Sequence, residues 1–77
     1  MAIKSRKSFA KALGQRIRTL RLNKGISLKH FEAKEDSIDR HALSDIENGK
    51  KVPNVYTLFR ISLILDVPLE EFVTKLK

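Results

Sequence analysis

The chain contains no cysteine and no tryptophan. Without a thiol it has no disulfide framework, no thiolate metal site and no cysteine nucleophile. Glycine is scarce, three in 77 residues, and no glycine-rich phosphate loop is present. Apolar runs are short, as in Leu63-Ile64-Leu65, and the basic start leads into Gln15, Arg16 and Arg18. Neither a signal peptide nor a membrane span is therefore expected, and the expected location is cytoplasmic. Ser27 and Ser44 lack any nucleophile context beside His30 or His41, and two histidines without cysteines make a poor metal site. No cofactor, no metal and no enzymatic activity are expected. The remaining absence is of acid: residues 1–31 hold nine lysines and arginines and no carboxylate.

What is present fits one small domain. At 77 residues and 42% hydrophobic content, folding buries only about 60% of the surface the unfolded chain exposes, so self-association is a natural supplement. The net charge is +7 and the sequence pI about 10.1. A charge of that sign suits a polyanion, because each phosphate neutralised releases counterions. Charge alone is shared with membrane-surface peptides and with well-solvated domains.

The apolar spacing is helical throughout, and no segment alternates with period two. Residues 1–7 are polar and basic and read as a flexible arm preceding a domain over 8–77. A first helix is expected from Ser8 to about Asn23, with Phe9, Leu13, Ile17 and Leu20 as its stripe and Gly25 as its stop. Ser27 suits the cap of a short second helix that buries Leu28 and Phe31 and runs to about Lys34, followed by turn chemistry at Glu35, Asp36 and Ser37. After Val52 and Pro53, Asn54 is placed to cap a fourth helix with Val55, Leu58, Ile61 and Leu65 on one face. Pro68 suits the first turn of a fifth, carrying Leu69, Phe72, Val73 and Leu76. The expected fold is all-α, five short helices joined by tight turns.

The segment from Ile38 to Asn54 is the most specific. Asp39 is a good N-cap, Leu43 and Ile46 form the inward side of a third helix, and Gly49 follows Asn48 where a left-handed residue is expected. Arg40, His41, Ser44 and Asp45 fall on the other side, a polar face able to hydrogen-bond base edges. Lys50 and Lys51 follow at once. Any short surface helix also has a polar outer face.

From Leu13 to about Phe72 the chain resembles the lambda-repressor-like helix-turn-helix domains of the Xre and phage Cro/CI family. The resemblance is carried by L-G-Q-R-I-R-T-L-R at 13–21, G-I-S at 25–27, D-R-H-A-L-S-D-I-E-N-G-K at 39–50, P-N at 53–54 and I-S-L-I-L-D-V-P-L-E-E-F at 61–72, in that order. It implies a compact five-helix domain in which the second helix crosses the DNA backbone and the third lies in the major groove. The matching base readers are Arg40, His41, Ala42 and Asp45. Arg40 is suited to guanine O6 and N7, His41 to a base edge or a phosphate, Ala42 to a thymine methyl, and Asp45 either to cytosine N4 or to orienting Arg40 or His41. Phosphate contacts fall to Ser44, Asn48, Lys50, Lys51 and Asn54. Glu47 is implied to pair with Arg21 as a structural ion pair.

The chain departs from the family in three places. Leu28 stands where a phosphate-binding glutamine is common, which moves that contact to Lys29 or His30. The distance from Gly25 to Glu47 is one residue longer than usual, with the apparent insertion near Glu32. Leu63 and Ile64 replace a polar residue and an alanine, so that Leu63 falls on an outer face near Tyr56 and Phe59. An outward apolar strip suggests a partner surface, here a homodimer interface to which Phe72, Val73 or Leu76 contribute. Internal burial of these residues is the alternative. The functional expectation is a dimeric transcriptional regulator of double-stranded DNA, in effect a repressor on a palindromic operator. RNA polymerase would be excluded or recruited. The rival is a protein-interaction module that binds a toxin or a sigma factor, as an antitoxin does.

Overall fold

The structure, a computed structural model, describes residues 5–32, 38–74 and 76. Four α-helices follow one another, α1 (Arg6–Asn23), α2 (Leu28–Glu32), α3 (Arg40–Glu47) and α4 (Val55–Leu65), and a 3₁₀ turn (Leu69–Phe72) closes the chain. No strand occurs among the described residues. The helical extension to Lys34, the turn at Glu35, Asp36 and Ser37, and arm residues 1–4 lie outside them.

Each helix start is set by a short polar side chain. Ser5 Oγ accepts from the Ser8 amide at 3.0 Å, so α1 begins at Arg6, two residues before the expected start, and takes in the end of the arm. Ser27 Oγ accepts from the His30 amide (3.0 Å), Asp39 Oδ2 from the His41 and Ala42 amides (3.1 and 3.3 Å), and Asn54 Oδ1 from the Thr57 amide (2.7 Å). Such caps contribute about 1 kcal/mol each.

Three helix ends share another device. After α1, the Ile26 and Gly25 amides donate to the Arg21 and Leu22 carbonyls; after α3, the Lys50 and Gly49 amides donate to Asp45 and Ile46; after α4, Val67 and Asp66 donate to Ser62 and Leu63. This paired closure needs a left-handed residue. Gly25 (φ +70°) and Gly49 (φ +77°) supply it cheaply, whereas Asp66 adopts φ +55° with a Cβ, at a cost of about 1 kcal/mol.

The core gathers Leu13 and Ile17 of α1, Phe31 of α2, Leu43 and Ile46 of α3, Leu58, Ile61 and Leu65 of α4, with Ile38 and Phe72 from the connecting segments. Full burial of such side chains contributes about 1.5–3 kcal/mol apiece. α3 packs on both α1 and α2, and the 3₁₀ turn bridges α1 and α4. Arg16 strengthens that bridge, its Nε donating to the Glu71 carbonyl at 3.1 Å. The seam between α1 and α3 is closed by Gly14, where any Cβ would overlap the carbonyl oxygens of Ile46 and Glu47.

Three expectations are corrected here. The fifth helix is a single 3₁₀ turn. Pro68 stands just ahead of it as its cap, and it ends after four residues at the buried Phe72. Val55 does not join Leu58, Ile61 and Leu65; it is 74% exposed, because α4 meets the core only from Leu58 onward. Phe72 is fully buried within one copy of the chain and offers no surface to a partner, while Leu76 is half-buried against the same core.

Candidate nucleic-acid interface

The inner side of α3 is fixed first. Leu43 and Ile46 enter the core, and Glu47 is buried beside them. Arg21 meets Glu47 through two parallel bonds, Nε to Oε2 at 2.7 Å and Nη2 to Oε1 at 3.1 Å, and its Nη1 donates to the Ile26 carbonyl at 2.7 Å. One guanidinium thus joins α1, the turn into α2 and α3. A buried charge tolerates desolvation only when its remaining hydrogen bonds are made. Among the described residues no buried side-chain nitrogen or oxygen is left without a partner.

With that side fixed, the 3.6-residue repeat sends His41, Asp45 and Asn48 outward in one row, with Ser44 beside them. His41 and Asn48 are exposed, and Ser44 and Asp45 are half-exposed. Asn48 donates to Ser44 Oγ at 3.3 Å, linking two neighbours on this face. Arg40 is exposed at the start of the helix. Ala42 is placed differently from the other three base-reading candidates: it is half-buried, packs against the core and lines a groove between α3 and α4. Its methyl is therefore only partly presented.

The loop after α3 carries Lys50 and Lys51, both exposed, and Asn54 at the start of α4. Gly49 turns the chain so tightly that an added Cβ there would come within 3.1 Å of the Lys11 Cα. Lys11 of α1, itself exposed, therefore stands against the loop, with Lys7 one helical turn behind it. The cationic edge is thus built from one helix, α1, and the loop after α3. Sequence reasoning assigned Lys11 no role, although Gly14 three residues on marks an approach of another backbone to α1. Lys29 is exposed on α2, apart from that loop, and Phe31 anchors its helix in the core. Seven residues, 33–39, separate α2 from α3.

A short helix packed across a second one whose polar face points outward is the geometry of a helix-turn-helix. The chain matches a family model described as a helix-turn-helix domain over residues 14–76, and it belongs to that family. Such domains are DNA-binding architectures of regulators. No curated protein and no solved structure gives a significant match. Among the described residues no helix is long and apolar enough to cross a membrane, and no three metal-ligating side chains cluster.

Proposed function

We propose that the domain is a sequence-specific double-stranded DNA-binding transcriptional regulator of the Xre and Cro/CI type, acting in the cytoplasm as a homodimeric repressor on a palindromic operator. The observation that supports this best is the outward row of α3 beside the edge on which Lys11, Lys50 and Lys51 converge. A helix that offers donors and acceptors at its centre and cations at its rim matches a groove floor flanked by phosphates. In this reading Arg40 donates to guanine, His41 meets a base edge or a phosphate, and Asp45 accepts from cytosine N4 or orients Arg40 or His41. Ala42 touches a thymine methyl at most with its exposed edge. Ser44, Asn48, Lys50, Lys51, Asn54 and Lys29 hold phosphates. In this reading the protein binds DNA and catalyses no reaction; it excludes or recruits RNA polymerase by occupying DNA.

A second reading, an interaction module for a toxin or a sigma factor, draws on the exposed apolar strip of Tyr56, Phe59 and Leu63. Selection from a randomised duplex pool at near-physiological salt separates the two. Enrichment of an inverted repeat with half-site centres about 10 bp apart supports the operator-binding dimer. A folded protein that enriches no sequence overturns it.

A further inference from the structure

α1 carries more positive charge than the fold uses. Arg16 and Arg21 are taken up internally, by Glu71 at 3.5 Å and by Glu47 at 2.7 Å. Among the described residues no carboxylate pairs with Lys7, Lys11 or Arg18, and all three are exposed. They lie within about 40° of one another around the helix and extend about 16 Å along it. The result is a single outward row of cations.

The row runs alongside the candidate interface. Gly14 sits on its inner flank, with the Ile46 and Glu47 carbonyls of α3 against it. Towards one end Lys11 stands against Gly49, where the outward row of α3 runs out at Asn48. At the other, Arg18 borders a hollow with Ser27 and Leu28 at the start of α2. The row therefore passes the end of α3 and emerges on both sides of it, towards the loop that carries Lys50 and Lys51 and towards the helix that carries Lys29.

Two local costs form an independent observation. The first turn of α1 contains Arg6 and Lys7 and no acidic residue, which sets cations at the positive end of the helix dipole. Lys7 and Lys11 are also four residues apart, a spacing at which like charges repel across one turn. Surface residues that break local rules without gain to the fold point to something outside it, and an anionic partner relieves both costs at once. The neighbours of the row choose among anions. Apart from Leu22 at its far end it is bordered by the exposed, polar Gln15 and Thr19, so it lacks the apolar band with which a basic helix enters a lipid surface. A phosphate backbone asks for spaced cations alone.

We propose that Lys7, Lys11 and Arg18 form a phosphate-binding track for duplex DNA that works whatever the base sequence, next to the face that reads bases. It rests on the DNA-binding part of the function proposed above and needs neither an operator nor a dimer.

Fluorescence anisotropy of a labelled duplex of arbitrary sequence, titrated with the full chain between about 50 and 200 mM salt, tests it. Lys7→Gln, Lys11→Gln and Arg18→Gln combined are expected to lower the slope of log K against log salt by about 2.7, and Arg18→Gln alone by about 0.9. Glutamine keeps the helix propensity and removes the like-charge repulsion, so the triple variant is expected to melt no lower than wild type by circular dichroism. Arg6→Gln removes an exposed cation of the same turn, about 100° round the helix from Lys7, and is expected to change the slope by less than about 0.3. A folded triple variant whose slope stays within about 0.5 of wild type, or a loss for Arg6→Gln equal to that for Arg18→Gln, overturns the track and leaves the DNA reading standing. A wild-type chain that binds no duplex at any of these salt concentrations overturns the DNA reading and the track with it. A chain that loses slope as expected yet enriches no sequence from a randomised pool retains the track and loses the operator.

Discussion

α3 and α4 are built alike on the inside and oppositely on the outside. Each opens on a side-chain cap, Asp39 or Asn54, each sends a few residues into the common core, and each ends in a left-handed residue, Gly49 or Asp66. Yet the outward row of α3 is His41, Asp45 and Asn48, whereas that of α4 is Tyr56, Phe59 and Leu63. Burial fixes the inner residues, so the outer ones are free to record what each helix meets. A partner that presents hydrogen-bonding edges and phosphates calls for the first pattern, and one that presents carbon calls for the second. The termini differ in the same sense, with two lysines after Gly49 and a carboxylate at Asp66.

The largest expected effect removes the scaffold that makes the comparison possible. Glu47→Ala leaves the Arg21 guanidinium buried without its carboxylate and is expected to cost about 3–5 kcal/mol in urea denaturation. A loss below about 1 kcal/mol would show that water replaces the carboxylate. Gly14→Ala forces α1 away from the Ile46 and Glu47 carbonyls and is expected to cost about 3 kcal/mol by the same measurement. Because the overlap falls directly on the α3 main chain, amide exchange is expected to rise in α3 more than at Ile61 and Leu65.

Smaller effects test the outer face of α3. Arg40→Ala is expected to remove about 1–3 kcal/mol of discrimination at one base pair while leaving nonspecific affinity nearly unchanged, read by competition binding on single-base operator variants. Lys50→Ala and Lys11→Ala are each expected to lower the slope of log K against log salt by about 0.9 on every duplex. Equal behaviour of Arg40→Ala and Lys50→Ala would merge the two roles. The smallest effect is at the end of α4. Asp66→Gly relieves the left-handed strain and the charge at the helix terminus, and is expected to stabilise the isolated chain by about 1 kcal/mol in thermal unfolding at low protein concentration.

Where local chemistry decides, the sequence is readable. Ser27, Asp39, Asn54, Gly25 and Gly49 each act on amides or carbonyls within a few residues, and their caps and stops stand where composition and spacing put them. Ambiguity arises where two residues offer the same chemistry: Ser5 and Ser8 both suit a cap, and Ser5 takes the role with Ser8 as its donor. Left-handed geometry without glycine, at Asp66, leaves no mark in the composition. Short apolar segments cannot report their direction, so Phe72 and Val73 look equivalent in the chain although one is core and the other surface. For the candidate site, the outward face of α3 is legible from its period. The nearness of Lys11 to Gly49 is not, because it depends on how two distant segments pack.

The seam between α1 and α3 has a mechanical consequence. Where Gly14 meets the Ile46 and Glu47 carbonyls, main chain rests on main chain, and no rotamer lies between them to absorb a displacement. With the bidentate guanidinium as a second strut, α3 has little freedom to tilt or slide before it meets a ligand. In the proposed function, a helix that is stiff beforehand loses little motional entropy on docking, so a misplaced base would meet a geometry that does not yield. It also allows the outer side chains of α3 to be exchanged one at a time without the helix shifting to compensate, so under the proposed function the domain would drift from one target sequence to another on an unchanged frame.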